Sequence, residues 1–209
     1  MKLKVCGMRN SQNIKELLML RPDYMGFIFY DKSKRNAVNL DAELLKSFPS
    51  KTQKVGVFVN AALDEVKSKV DEFQLDFVQL HGDESVEYVG ELFAVGIRVI
   101  KVFAVGQSFD FNVLKPYKGL VEYFLFDTKG KERGGNGVVF DWGILKDYDQ
   151  SVPFFLSGGI DNENVIGLAQ LGEMNIHAID VNSKYEMEPG WKDIERINEL
   201  IKKLSHHER

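Results

Sequence analysis

Residues 54–59 read Lys54-Val55-Gly56-Val57-Phe58-Val59, and residues 77–80 read Phe77-Val78-Gln79-Leu80. Both runs are short and largely apolar, without strict alternation, as strands buried on both faces are. Between them Leu63, Val66, Val70 and Phe73 recur at helical spacing. Residues 54–80 therefore read as one strand–helix–strand unit of a parallel sheet. The alternation continues in both directions. Further runs of this kind occupy Leu3–Cys6, Tyr24–Phe29, Arg98–Phe103, Tyr123–Phe126, Pro153–Leu156 and His177–Val181. Helical patterns separate them: one opened by Asn10, one by Asp41, one following Asp83-Glu84-Ser85, then 111–117, 141–145, 162–171 and 194–204. No Pro/Ser-rich linker or shift in composition breaks the series, so residues 1–204 read as one domain, with 205–209 as a frayed tail. Eight such units predict an α/β fold, a single (β/α)8 TIM barrel with short loops, since these barrels typically run to about 250 residues. A doubly wound open sheet is the alternative that periodicity leaves standing.

The composition narrows the function. Of the 209 residues, 27 are Lys or Arg and 31 are Asp or Glu, a formal charge of −4. That balance argues against nucleic acid as a partner. Cys6 is the sole cysteine, which excludes internal disulfides and Cys-rich zinc sites. His81 and His177 are the histidines away from the carboxyl terminus, and no ligand-like spacing joins them, so no metal is expected. No stretch approaches the roughly 18 apolar residues of a membrane span. Lys2-Leu3-Lys4 is not followed by the sustained apolar run of a signal peptide, so the expected compartment is a reducing cytoplasm.

In parallel α/β folds the site lies beyond the carboxyl ends of the strands. The residues at or just past the end of each run are Cys6-Gly7-Met8-Arg9, Asp31 to Arg35, Asn60, Gln79 with His81-Gly82, the uninformative Ala104-Val105-Gly106, Asp127-Thr128, Ser157-Gly158-Gly159 and Asp180-Val181-Asn182-Ser183. Ser157-Gly158-Gly159, followed by a helix opener, suits a phosphate: glycines let backbone N–H groups approach an anion, and a helix start adds positive dipole. Asn182-Ser183 would complete that cradle, because barrel phosphates often sit between the last two loops. A tight turn that merely needs glycine reads the same way. Gly130, Gly134, Gly135 and Gly137, with Lys129, Lys131 and Arg133, form either a solvated loop or a lid over an anionic substrate. Cys6 alone is as well explained as a small buried hydrophobe. A carboxylate ending Phe124-Leu125-Phe126 is costly to bury unpaired, so Asp127 caps the next segment or works in the site.

Taken in order, these motifs resemble a known family. They are Lys4-Val5-Cys6-Gly7-Met8; Gly26-Phe27-Ile28-Phe29 with Ser33 and Arg35; Val55 to Asn60; Val78-Gln79-Leu80-His81-Gly82; Phe126-Asp127-Thr128; Gly134-Gly135-Asn136-Gly137 with Phe140-Asp141-Trp142; and Leu156 to Ile160. The chain is similar, from residue 3 to about 193, to the phosphoribosylanthranilate isomerases. The resemblance implies a cofactor-free barrel that performs an Amadori rearrangement of a phosphosugar in tryptophan biosynthesis. It implies Cys6 as general base and Asp127 as general acid. One segment departs from the family pattern. Asn182 and Lys184 stand where serine and glycine are usual in the last phosphate loop, while Ser183 and Glu186 match; Asn136 replaces a common threonine.

The chemistry explains why such residues are wanted. Opening the furanose needs a proton on the ring oxygen, and the resulting Schiff base acidifies the C2′ proton, which a base then removes. A thiol serves as that base once positive neighbours favour its thiolate, with the substrate's iminium as one such neighbour and Arg9 or Arg35 as the cations expected from the protein. Arg35 is the expected partner of the anthranilate carboxylate, since its fork suits bidentate pairing; the bland reading places it in a surface run, Lys32 to Arg35. His81 and Asp180 are expected at the substrate's anthranilate or hydroxyl groups, and Gly158, Gly159 and Ser183 at its phosphate. A monomer or a homodimer is compatible with these features. The competing readings are a sister phosphosugar-barrel enzyme and a phosphosugar-binding barrel without catalysis.

Overall fold

The computed structural model describes residues 1–128, 141–172 and 174–206. Eight parallel strands close into a barrel in sequence order, each hydrogen-bonded to the next and the eighth to the first. They are β1 (Lys2–Val5), β2 (Tyr24–Phe29), β3 (Gln53–Phe58), β4 (Phe77–Leu80), β5 (Val99–Val105), β6 (Tyr123–Thr128), β7 (Phe154–Leu156) and β8 (Ile176–Val181). Closure excludes the doubly wound open sheet. It also removes the exposed edges that an open sheet must protect.

Four α-helices lie on the connections of the first half: α1 (Ser11–Met19), α2 (Ala42–Lys46), α3 (Leu63–Phe73) and α4 (Val86–Ala94). Asn10, Asp41 and Ser85 cap α1, α2 and α4 by accepting first-turn backbone N–H groups. The second half differs from the expected α-helices. Residues 111–117, 142–147 and 165–171 form 3-10 helices. Pro116 lacks the N–H that an α-helix would use, and Gly143 and Gly167 lower helix propensity in segments too short to offset it. After β8 the chain makes an antiparallel hairpin, β9 (Glu186–Glu188) with β10 (Trp191–Lys192), that periodicity did not announce. The last helix, α5 (Ile194–His206), includes residues 205 and 206, which were expected in the tail. The glycine-rich segment expected as either a solvated loop or a lid falls within 129–140 and lies outside the described residues.

Alternate side chains on each strand face opposite ways. One set, including Phe27, Phe58, Val78, Leu80, Phe126 and Ile179, packs under helical residues such as Ile14, Val66, Val89 and Leu200. The other set, Tyr24, Val55, Phe77, Ile100, Val102, Leu125, Phe155 and Ala178, fills the barrel. Tyr24, Phe77 and Tyr123 begin their strands, so these rings plug the amino-terminal end and leave the carboxyl ends for chemistry.

His177 belongs to that plug. It lies 2.6 Å from Tyr24 Oη through Nε2 and tilts over Tyr123 at 4.1 Å between ring centroids. Burial, reinforced by Lys2, depresses its pKa from 6.5 to about 4. The unfolded chain therefore takes up a proton that the native state refuses between pH 6.5 and 4, and stability falls as pH drops through that window. Because the ring is only partly buried, the loss is roughly 1–2 kcal/mol rather than the full value of the shift. Thermal unfolding of His177→Gln, followed from pH 7 to 4, should show a correspondingly flatter decline than the parent chain. Parallel declines would show that His177 does not carry this pH dependence.

Candidate active site

The barrel register assembles the polar residues. Asp180 on β8 pairs with Lys4 on β1. Phe126, Leu156 and Ile179 are matched across β6, β7 and β8, so Asp127, Ser157 and Asp180 follow at consecutive places on the rim. Cys6 extends β1 by one step, its N–H donating to the Val181 carbonyl at 2.9 Å. Lys4, Cys6, Asp127 and Asp180 each share inward parity with residues that fill the barrel.

Cys6 is 4% exposed and Asp127 6%, both buried at the rim rather than on the surface. Gly26 on β2 gives the sulfur room, for a Cβ built there would lie 2.7 Å from Cys6 Sγ. Burial pushes the Cys6 thiol up, and Asp180 adds to this, while Lys4 and Lys192 pull it down. The cations beside the sulfur are thus lysines, which corrects the expectation of Arg9 and Arg35. Arg9 instead donates to the Lys34 carbonyl at 3.0 Å, in an exposed position.

Asp127 Oδ1 accepts from the Thr128 N–H at 2.9 Å, and Oδ2 lies 3.5 Å from His81 Nε2. Asp180 feels both Asp127 and His81 as well as Lys4. Cys6, Lys4, Asp180, Asp127 and His81 therefore form one connected electrostatic group. The His81 loop is held from behind by Glu84, whose carboxylate accepts from the Asn60 and Gly82 N–H groups and pairs with Lys101 at 3.1 Å.

Arg35 is placed differently from the expected open fork. Its Nε and Nη2 bond both carboxylate oxygens of Glu186, at 2.7–3.0 Å. Lys192 Nζ donates to Glu186 at 2.6 Å and to Asn182 Oδ1 at 2.6 Å. Burial works against the Glu186 charge, but Arg35 and Lys192 outweigh it and hold the carboxyl below its ordinary range. Burial in turn lowers Lys192 to about 8. Among the described residues Arg35 Nη1 has no hydrogen-bond partner, in contrast to Nε and Nη2.

The two loops expected to hold phosphate come together. Tyr185, in the single 3-10 turn Ser183–Tyr185, donates to Asn162 Oδ1 at 2.8 Å, joining the loop after β8 to the one after β7. Gly158 and Gly159 adopt φ of 93° and 69°. A side chain at Gly158 would be strained by that φ and would collide with the Thr128 hydroxyl. The helix that follows is a seven-residue 3-10 helix, Val165–Leu171, rather than an α-helix. Lys184 makes no ion pair among the described residues.

Three buried polar atoms of this region, Gln79 Oε1, Thr128 Oγ1 and Asp180 Oδ1, have no hydrogen-bond partner among the described residues. Gln79 was noted among the polar residues ending the fourth run and Glu186 as a match to the family pattern, but neither was given a role, and Lys4 and Lys192 were not singled out from sequence. A lysine inside a buried strand, two residues before a cysteine at its end, was the signal available for Lys4. No group of three or more His, Cys, Asp or Glu side chains among the described residues is arranged to hold a metal.

Comparison with known proteins gives a consistent result. Residues 3–203 match the family model described as N-(5′-phosphoribosyl)anthranilate (PRA) isomerase. The chain is 42% identical over 206 residues to N-(5′-phosphoribosyl)anthranilate isomerase of Parabacteroides distasonis, covering 98% of this chain and 93% of that one. Phosphoribosyl anthranilate isomerase from Thermotoga maritima superposes with a TM-score of 0.84 at 33% identity, over 98% of each chain. A phosphoribosyl anthranilate isomerase solved with reduced 1-(o-carboxyphenylamino)-1-deoxyribulose 5-phosphate gives 0.82 at 30% identity, again over 98% of each. A closed barrel with a sulfur and a carboxyl group at its rim, matched to this model over nearly its whole length, belongs to the N-(5′-phosphoribosyl)anthranilate isomerase family.

Proposed function

We propose that the chain converts N-(5′-phosphoribosyl)anthranilate into 1-(2-carboxyphenylamino)-1-deoxyribulose 5-phosphate, with Asp127 as general acid and Cys6 as general base. The observation that carries this reading is the electrostatic group running from Cys6 through Lys4 and Asp180 to Asp127 and His81. Asp127 gives its proton to the furanose ring oxygen as the C1′–O bond breaks, and the anilino nitrogen becomes an iminium. Cys6, as thiolate, takes the C2′ proton, and the electron pair of that C–H bond neutralises the iminium to an enolamine. Proton return to C1′ and loss of the hydroxyl proton give the ketone. Each step conserves atoms and electrons, so the rearrangement is an internal oxidation and reduction within one molecule.

The remaining residues bind. Both ends of the substrate are anionic. Gly158, Gly159 and Ser183 take the phosphate, Arg35 the aromatic carboxylate through its Nη1 edge, and Asp180 and His81 the polar groups between. Glu186 fixes the direction of the Arg35 guanidinium without consuming all its donors. Arg35→Ala is expected to raise KM at least about tenfold, the worth of one charge-assisted hydrogen bond. The effect on folding should be small, because Glu186 keeps Lys192 and the Gly190 N–H as partners. A KM within twofold of the parent's would remove Arg35 from the binding set. The function itself is tested by following the fluorescence of phosphoribosylanthranilate with purified protein. Consumption no faster than the uncatalysed background would overturn it in favour of a barrel that only binds phosphosugars.

A further inference from the structure

We propose that Lys4 is a positioning residue for the base: its ammonium, held by Asp180 inside the barrel on the same side of β1 as Cys6, favours the thiolate. This rests on the reading of Cys6 as the general base. Lys4 is fully buried and Asp180 is 7% exposed. Lys4 Nζ lies 2.9 Å from Asp180 Oδ2, and the two residues are register partners on adjoining strands. Being two residues apart along β1, Lys4 and Cys6 point the same way, which puts the ammonium on the side of the strand where the sulfur lies, and its charge pulls the thiol's pKa down.

Stability alone does not account for this lysine. An ion pair inside a barrel recovers little more than its own desolvation cost, and apolar side chains of like volume often serve as well or better. The interior layers just below it are made of such side chains, Tyr24, Phe155 and Ala178 among them. Burial opposes the Lys4 charge, yet Asp180 and Cys6 outweigh it and raise its pKa above the ordinary value, so the ammonium persists. The charged groups facing Cys6 are Lys4 on its own strand, Asp180 from β8 and Lys192 from β10. Asp180 disfavours the thiolate, and both lysines favour it, Lys4 more strongly. Lys192 is already shared between Glu186 and Asn182. Arg35 approaches through its Cδ near Gly7, but its Nε and Nη2 are turned to Glu186. Lys4 thus keeps its protons throughout and acts on the substrate only through Cys6.

The test is the pH dependence of iodoacetamide alkylation of Cys6 in the free protein, which reports thiolate without involving turnover. For Lys4→Gln the midpoint should rise by at least about one pH unit, making alkylation near neutral pH roughly tenfold slower. In the same variant kcat should fall at least about tenfold with KM little changed, as expected when only the base is weakened. Asp180→Asn should move the midpoint the other way, because the amide oxygen still accepts from Lys4 while the carboxylate's repulsion is gone. A purely structural role predicts no such opposite signs. If Lys4→Gln does not fold, the downward shift in Asp180→Asn carries the test alone. A Lys4→Gln midpoint within about 0.3 unit of the parent's, or an Asp180→Asn midpoint that stays or rises, overturns the proposal. Should Cys6 not be the base, the midpoints would still shift as stated, but Cys6→Ser would retain its turnover.

Discussion

Asp127→Asn is expected to lower kcat by at least about 100-fold, the scale of a lost general acid. The substitution is almost isosteric. The amide oxygen can keep the 2.9 Å bond from the Thr128 N–H, so the end of β6 should hold its course. What is lost is a proton that can be given to the ring oxygen, since an amide does not donate one at useful pH. Removing a negative charge beside Asp180 relieves repulsion, so the folded state should lose little stability. Turnover and thermal unfolding measured on the same preparation therefore separate the two roles. A large fall in kcat with an unchanged melting temperature supports Asp127 as the acid. Near-normal turnover would leave it as a residue that orders β6 and the His81 loop, and the acid would have to be sought elsewhere on the rim.

The strand pattern was legible because each strand is buried on both faces. The run Phe77–Leu80 is the same in sequence and structure, and Tyr24–Phe29 likewise. Periodicity could not reveal that β6 continues through Asp127 and Thr128, because a charged residue looks like the end of a buried strand. It also read 3-10 segments as α-helices: an apolar spacing of three or four residues suits both, and the choice turned on Pro116 and the glycines. The hairpin Glu186–Lys192 was hidden by its brevity and by its charged residues, which pair with each other and with Arg35 rather than following a strand pattern. In the site, Cys6 and Asp127 were readable as polar residues at strand ends. Lys4 and Glu186 were not, because their meaning depends on partners at positions 180 and 35. Such pairings come from barrel closure, which no local pattern encodes. The same applies to Arg35, whose side chain was expected free and is directed by a carboxylate 151 residues away.

Cys6→Ser should likewise reduce kcat at least about 100-fold, with little cost to folding. Oxygen is smaller than sulfur, and the space that Gly26 leaves over Sγ accepts it without displacement. The difference is in ionisation. A thiol gives up its proton far more readily than an alcohol, so a base that depends on a thiolate has no equivalent in serine. Burial already pushes the Cys6 thiol up, with Lys4 and Lys192 offsetting part of that push, and an alcohol in the same place would start much further from ionisation. Ring opening by Asp127 would still proceed, so the variant should bind substrate with a KM close to the parent's. Deuterium at C2′ then provides a decisive comparison. If proton removal limits the serine variant, C2′-deuterated substrate should turn over several-fold more slowly in it than protonated substrate does. A serine variant with kcat close to the parent's would mean that the proton leaves C2′ by another route, and the buried sulfur would revert to a packing residue between β1 and β2.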